Sequence, residues 1–290
     1  MSAPPTMLGL EMPDVAPWSD RVMVALGQNP GVFTGPGTNT YLVGTGARRI
    51  LLDTGDGRPE YLPVLAKALS EAGCEIQEIV LTHAHPDHIG GAHSVCERFG
   101  PLKISKRPWP GVDEEFDLAL TTLGHGDVVR TEGATLRAVH TPGHAQDHLC
   151  FVLEEERAIF SGDNVLGVGT TVIPPDTGDL GDYLASLERL LAEEPAAIYP
   201  AHGPKIEDGV GKLREYIDHR LAREAQIVAA LDKGPRSVQE IVRVVYAAYP
   251  ESLYAAAGMS VTSHLVKLER EQRVRSEGSS EPLDARWSLV

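Results

Sequence analysis

Three histidines and one aspartate crowd into the six residues His83-Ala84-His85-Pro86-Asp87-His88, directly behind the apolar run Ile76–Leu81. That run reads as a strand and Ile89-Gly90-Gly91 as the beginning of a helix, which places the cluster in a strand-to-helix loop. Four metal-capable side chains spaced so tightly cannot share one helix face, whereas from a loop they can converge on a point. Neutral imidazole and carboxylate form the donor set that suits zinc and similar divalent cations. A metal centre is therefore expected here, rather than a polar loop that happens to be rich in histidine.

Three later segments supply what such a site would lack. Thr141-Pro142-Gly143-His144 follows the alternating run Thr135–His140, and Ser161-Gly162-Asp163 closes the short apolar run Ala158–Phe160. Ile198-Tyr199-Pro200-Ala201-His202-Gly203 repeats the design with a final histidine. In each, a short strand runs into a turn and a metal-capable side chain. Strand ends opening into one cleft are the simplest way to gather them.

In this order HAHPDH, TPGH, SGD and AHG, together with Leu52-Asp53-Thr54-Gly55, resemble the metallo-β-lactamase superfamily of zinc hydrolases. The resemblance implies two zinc ions per chain, with His83, His85 and His144 holding one and Asp87, His88 and His202 the other. Asp163 would bridge them, and Asp53 matches a position that orients ligands. It further implies a catalytic part for Asp87, which would orient the nucleophile. His148, four residues beyond His144, is expected near the site as an orienting group or a proton donor.

A second resemblance runs through nearly the whole chain. Asn29-Pro30-Gly31, Gly37–Gly46, Thr131–Arg137, Leu153–Glu156, Ser161–Gly167 and Tyr216–Arg220 are similar to the β-lactamase-like protein 2 group. Its animal members are endoribonucleases acting on single-stranded RNA, and fungal relatives include thioesterases that release polyketides from carrier proteins. The resemblance thus implies cleavage of single-stranded RNA by hydroxide generated at the metal pair. The alternative is an acyl thioester hydrolase of the carrier-protein or glutathione type; a non-enzymatic, metal-stabilised binding module is the reading from another class. Ala84 stands where many relatives place Trp, and Pro174-Pro175-Asp176-Thr177-Gly178 looks like an insertion. Both departures are expected where substrate can touch.

Charge is uneven along the chain. The net charge is -15 over 290 residues. From Gly211 onward 12 Lys/Arg face 11 Asp/Glu, leaving 14 against 30 in the first 210 residues. So acidic a body is a poor general platform for nucleic acid, whose binding rests on phosphate neutralisation. Lys103-Ile104-Ser105-Lys106-Arg107-Pro108-Trp109 is the one basic stretch with an aromatic nearby, and Lys106, Arg107 and Trp109 are the candidates for contact with a strand of RNA.

Cys74, Cys96 and Cys150 lack metal-ligand spacing, and their odd number and apolar neighbours point to reduced thiols. The Pro-rich, acidic segment Met1–Trp18 has neither the charged nor the apolar part of a secretory signal, and no run approaches the roughly 18 apolar residues of a membrane span. The cytoplasm is the expected compartment, with the mitochondrial matrix as the alternative, and the chain is expected as a monomer or homodimer.

The element pattern predicts an α/β body over residues 1–210, which the resemblance makes a four-layer αββα sandwich. Helices are expected over Glu60–Ala72, His88–Phe99 and Leu180–Glu193, and a connecting helix over Lys212–Leu231. In residues 211–290, Val238, Ile241, Val242, Val245 and Tyr246 keep helical spacing, as do Val261, Leu265 and Leu268 within Ser260–Arg270. A hairpin of Arg273–Ser276 and Arg286–Leu289 follows, so a small winged-helix-like domain is expected, packing on the body and bordering the cleft. Asn39 is a weaker candidate for the cleft wall. His93, His125, His140, His219 and His264 belong to no motif and are expected at the surface or in structural roles.

The lack of a signal argues against antibiotic hydrolysis, and the lack of a long basic arm against transfer-RNA maturation. The hairpin-ended tail differs from glyoxalase-type glutathione-binding helices. No Gly-x-Ser-x-Gly elbow or nucleotide-binding glycine loop occurs.

Overall fold

The computed structural model describes residues 9–290; the first eight residues of the segment read above for a secretory signal lie outside the described residues. Seven strands form the first sheet in chain order: β1 (Val15–Pro17), β2 (Val22–Leu26), β3 (Asn39–Val43), β4 (Arg48–Leu52), β5 (Glu75–Val80), β6 (Ile104–Lys106) and β7 (Leu120–Thr122). Pairing is antiparallel from β1 to β4 and parallel from β4 to β7. Helices α1 (Tyr61–Ala72), α2 (Pro86–Ile89) and α3 (Ala92–Phe99) belong to this half.

The second sheet is an antiparallel meander, β8 (Val128–Thr131), β9 (Ala134–His140), β10 (Leu149–Leu153) and β11 (Ala158–Gly162), with β12 (Ala197–Pro200) added parallel to β11. Its helices are α4 (Leu180–Ala192) and α5 (Gly209–Leu231).

Burial along single strands fixes the layering. On β4, Ile50 and Leu52 join the core between the sheets, while Leu51 joins the core under α1 and α3. On β10, Leu149, Phe151 and Leu153 face the inter-sheet core, and Cys150 and Val152 face α4 and α5. With both faces covered, β10 is apolar throughout, as are the last three residues of β4, instead of alternating. The result is an αββα sandwich, its centre filled by Tyr41, Phe160 and Tyr199 with ring centroids 5.0 Å apart for both pairs that include Phe160.

The tail contains β13 (Arg236–Ser237), α6 (Val238–Val245), α7 (Tyr254–Arg270), β14 (Val274–Glu277) and β15 (Arg286–Leu289), with sheet order β13-β15-β14. Two helices followed by a hairpin make a winged-helix arrangement around buried Trp287, Val261 and Leu265. Ser237 and Glu240 form a reciprocal capping box that starts α6. Helix α5 serves both cores: Leu213 and Tyr216 pack into the body, and Ile227, Ala230 and Leu231 into the tail.

Two elements differ from expectation. The helix expected over His88–Phe99 is split at Gly90-Gly91. The Gly91 N–H donates to the Gly55 carbonyl at 3.0 Å, and a Cβ at 91 would sit 2.0 Å from the Thr54 oxygen. Helix α7 begins at Tyr254, ahead of the expected Ser260. Its first turns, Tyr-Ala-Ala-Ala-Gly-Met, carry helix-favouring alanines but no apolar period to read.

Candidate metal centre

Every candidate ligand follows the C-terminal end of a strand at one edge of the sandwich: His83, His85, Asp87 and His88 after β5, His144 after β9, Asp163 after β11 and His202 after β12. The structure brings together His83, His85, His144 and Asp163 as one group and Asp87, His88 and His202 as another, with potential ligand atoms within 4.8 Å of one another in each. His85 Nδ1 lies 2.9 Å from His83 Nε2 and 3.0 Å from His144 Nε2. A zinc ion with Zn–N distances of about 2.0–2.1 Å needs ligand nitrogens slightly farther apart, about 3.3 Å in a tetrahedron. Asp163 stands between the groups, Oδ2 3.4 Å from His144 and Oδ1 3.1 Å from His202.

Two atoms test whether this arrangement fits metal. His88 Nε2 and Asp163 Oδ1 are buried 3.4 Å apart, and neither makes a hydrogen bond of good geometry among the described residues, although His202 Nε2 approaches Asp163 Oδ1. Buried polar atoms left open in this way are costly unless something completes them. Imidazoles and carboxylates of this geometry fit a pair of divalent cations.

The supporting shell orients each ring. Asp53, in the left-handed conformation at φ 60°, accepts from the Thr82 N–H at 2.8 Å and the Thr82 hydroxyl at 2.9 Å. Its Oδ2 is 2.8 Å from His88 Nδ1, and the Thr82 hydroxyl is 3.0 Å from His83 Nδ1. His144 Nδ1–H donates to the Val172 carbonyl at 2.7 Å. The outer nitrogens are thereby occupied, leaving Nε2 of His83 and His144 with a lone pair toward the centre. Burial opposes charging of His88, but Asp87, Asp163 and Asp53 outweigh it and hold that ring well above its ordinary value, so it would give up its Nε2 proton on binding a cation.

Protonation follows from the surroundings. Burial, then the neighbouring imidazoles, hold His83 well below its ordinary value, and burial and His144 push His85 down to about 4. Burial likewise lowers His144. These three rings are neutral at pH 7, the form that donates to a metal. On the other side burial opposes charging of His202, but Asp163 and Asp87 outweigh it and raise the ring to about 9.

Some expected residues take the place the sequence suggested, and others do not. His148 is wholly buried behind the centre: its Nε2 accepts the Asp163 N–H at 3.1 Å, and Nδ1 lies 3.0 Å from the Thr141 hydroxyl. Both nitrogens are engaged, an arrangement that suits the orienting role among the two expected for His148. Lys106, read as a contact for RNA, is only 1% exposed and lies between Asp113 Oδ1 at 2.6 Å and Asp147 Oδ2 at 2.8 Å. Ala84, expected on the substrate path, is also 1% exposed. Pro175 and Gly178 of the insertion-like loop line a small cavity together with Ser263 and Val266 of α7.

Others gain a definite place. Trp109 is half-buried at the rim, its ring centroid 6.3 Å from that of His85. Asn39 donates to the carbonyls of Pro200 and Gly203, both at 2.8 Å, and so braces the turn bearing His202. The Thr38 hydroxyl, which the sequence did not single out, donates to Asp87 Oδ2 at 3.1 Å and accepts from Asn29 at 2.9 Å. Thr38 and Asn29 belong to the β2–β3 loop, whose tip exposes Val32 and Phe33.

An αββα sandwich with imidazoles and carboxylates gathered at its strand ends defines a class, the hydrolases of metallo-β-lactamase fold. Residues 19–202 match the family described as the metallo-beta-lactamase superfamily, and residues 237–287 match the beta-lactamase associated winged helix domain. The chain belongs to the metallo-β-lactamase superfamily and, within it, to the β-lactamase-like protein 2 group. It is 40% identical to the beta-lactamase-like protein 2 homolog of Drosophila melanogaster, over 93% of this chain and 95% of that protein. It is 41% identical to an atrochrysone carboxyl ACP thioesterase of Aspergillus chevalieri, over 92% of this chain and 86% of the relative. A beta-lactamase domain protein from Burkholderia ambifaria shares the fold with a TM-score of 0.82 at 19% identity, covering 97% of this chain and 96% of that one. No helix among the described residues is long and apolar enough to cross a membrane.

Proposed function

We propose that this chain is a hydrolase of acyl thioesters that works with two zinc ions, one held by His83, His85 and His144 and the other by Asp87, His88 and His202, with Asp163 between them. The observation that carries the substrate class is the fate of Lys106. In the basic stretch beside the centre, Lys106 is neutralised by Asp113 and Asp147 and Lys103 pairs with Glu78, within a body already acidic. That environment disfavours a polyanion and suits a neutral acyl carbonyl. Apolar Trp109 at the rim and exposed Phe33 on the adjoining loop offer contacts to an acyl chain. Relatives named as acyl-carrier-protein thioesterases support the same reading.

Bound there, the cations would generate a nucleophile from water near neutral pH and polarise the scissile carbonyl. The residues of the chain do the rest. Thr38 fixes Asp87 by its hydroxyl, so the remaining carboxylate lone pairs can accept a hydrogen bond from the attacking water and orient it. His148 and the Thr171 hydroxyl hold the Asp163 N–H and carbonyl, keeping its side chain between the two groups. No covalent intermediate with a protein side chain is needed.

Cleavage of single-stranded RNA is the second reading. It is favoured by the ring of Trp109 beside His85, where a base can stack, and by membership of the β-lactamase-like protein 2 group. Three free cysteines accord with a reducing compartment such as the cytoplasm or the mitochondrial matrix.

The test assays acyl thioesters, single-stranded RNA and lactams with wild type, His88→Ala and Asp163→Ala prepared identically. Thioester turnover is expected from wild type and its loss in both variants. RNA cleavage that vanishes in the same variants, without thioester turnover, would reverse the order of the two readings.

A further inference from the structure

Residues 168–178 form no helix or strand, yet three of them, Thr171, Val172 and Ile173, make a strap held from several sides. The Thr171 hydroxyl donates to the Asp163 carbonyl at 2.7 Å and bonds the Asn164 carbonyl at 3.2 Å. The Thr171 carbonyl accepts from the Arg220 guanidinium on α5. The next carbonyl, of Val172, accepts from His144 Nδ1–H at 2.7 Å. The one after, of Ile173, accepts from the Ser263 hydroxyl on α7 at 2.8 Å. Arg220 and Ser263 are both buried, and the Arg220 guanidinium lies 5.3 Å from the Tyr183 ring centroid, whose hydroxyl donates to Asn164.

We infer that Ser263 and Arg220 are positioning residues for the metal centre: the C-terminal helices hold the strap whose Val172 carbonyl sets the His144 ring. A carbonyl that accepts from the outer nitrogen of a ligating histidine fixes both its tautomer and its rotation. That carbonyl lies in an irregular segment, so its own place depends on the bonds to its neighbours on either side. Arg220 pins the residue before it and Ser263 the residue after it. The tail thereby takes part in orienting this ligand, alongside the bonds that Thr171 makes to Asp163 and Asn164 within the body. The inference rests on the assignment of His144 as a metal ligand.

Ser263→Ala is the variant of choice. Alanine suits a helix interior, and the other partner of the hydroxyl is the Met259 carbonyl of the same helix. Full-length metal-free protein is titrated with zinc against a competing chelator, and exchange of the His144 Nδ1 proton is followed by nitrogen-15 NMR on the same metal-free samples. Ser263→Ala is expected to weaken one of the two binding steps about tenfold, the lower end of what a partner of a ligating histidine supplies. It should also speed Nδ1 proton exchange and leave the unfolding midpoint of metal-free protein unchanged, while Ser263→Thr restores both readouts.

Unchanged zinc affinity and proton exchange in Ser263→Ala overturn the inference. So does equal weakening of both steps together with a lowered midpoint, because that outcome is general destabilisation. Wild type that takes up no zinc removes the ligand assignment, and this inference with it. That failure is recognisable, since it precedes any comparison of variants.

Discussion

His88 Nδ1 lies 2.8 Å from Asp53 Oδ2, and both side chains are almost completely buried. The same carboxylate oxygen accepts from the Thr82 hydroxyl, which in turn lies 3.0 Å from His83 Nδ1. One aspartate thereby governs a ring in each ligand group, directly on one side and through a threonine on the other.

Asp53→Asn tests that arrangement with little change of shape, and asparagine tolerates the left-handed backbone at this position. The amide cannot match the carboxylate as an acceptor from Thr82 and His88 together. Zinc affinity is expected to fall about 10–100-fold, as for partners of ligating histidines elsewhere. Elemental analysis after dialysis against dilute chelator measures it; full retention of metal by Asp53→Asn would count against a governing role for Asp53.

A second prediction concerns Lys106. Its ammonium separates Asp113 from Asp147, and burial raises the Asp147 carboxyl above its ordinary value even with the lysine present. Lys106→Met leaves two carboxylates facing each other in the interior. Removing one partner of a buried ion cluster costs about 3–5 kcal/mol. Urea unfolding of the variant should show this loss, and Lys106→Met combined with Asp147→Asn should recover part of it. A Lys106→Met midpoint equal to wild type rules the cluster out as a structural tie.

The packing of α5 on the rest of the tail should weaken in acid. Glu224 on α5 has Lys267 at 2.7 Å and Arg273 at 2.6 Å, with the His264 ring 4.0 Å away. His264, Lys267 and Arg273 outweigh burial and hold its carboxyl down, from 4.5 to about 2. A depressed carboxyl stabilises the fold fully above pH 4.5 and progressively less as pH falls toward 2. Glu224→Gln should therefore lose stability relative to wild type at pH 7, about 1–3 kcal/mol for a charged hydrogen-bonded group, with the difference closing between pH 4.5 and 2. Paired denaturation curves across that range check it, and a difference independent of pH contradicts the assignment.

The candidate ligand set could be read because each of its residues follows a strand end with its own local signature, and donor chemistry leaves few substitutes. The layered body was legible for a related reason: strands covered on both faces, such as Leu149–Leu153, read as unbroken apolar runs. What orients the ligands was much less visible. The Val172 carbonyl that holds His144 could belong to any residue, since a backbone acceptor leaves no mark in the sequence. Ser263 lies 119 positions from His144 in number and shares no pattern with it. Lys106 misled for the opposite reason: its charge was evident, but its burial depends on Asp113 and Asp147 arriving from a short 3-10 helix and a separate turn. His148 was placed near the centre, yet which way its ring nitrogens are engaged depended on the turn that brings the Asp163 N–H to it.

Trp109 offers the sharpest separation between binding and chemistry. The ring stands at the rim, 6.3 Å from His85 between centroids, while its backbone N–H donates to Asp113 at 2.7 Å. The backbone bond fixes the loop whatever side chain position 109 carries, so Trp109→Ala removes the ring and leaves the loop and ligands in place. Covering an acyl methylene is worth about 0.8 kcal/mol, so loss of two or three such contacts corresponds to a rise in KM of roughly 15- to 60-fold. The rate at saturation and the zinc content should change little, because no ligand or orienting bond is lost. Steady-state kinetics on a thioester series of increasing acyl length give the readout, and the penalty should grow with acyl length if the ring lies along the chain. A variant that loses kcat and keeps KM would move Trp109 from the substrate path to the support of His85.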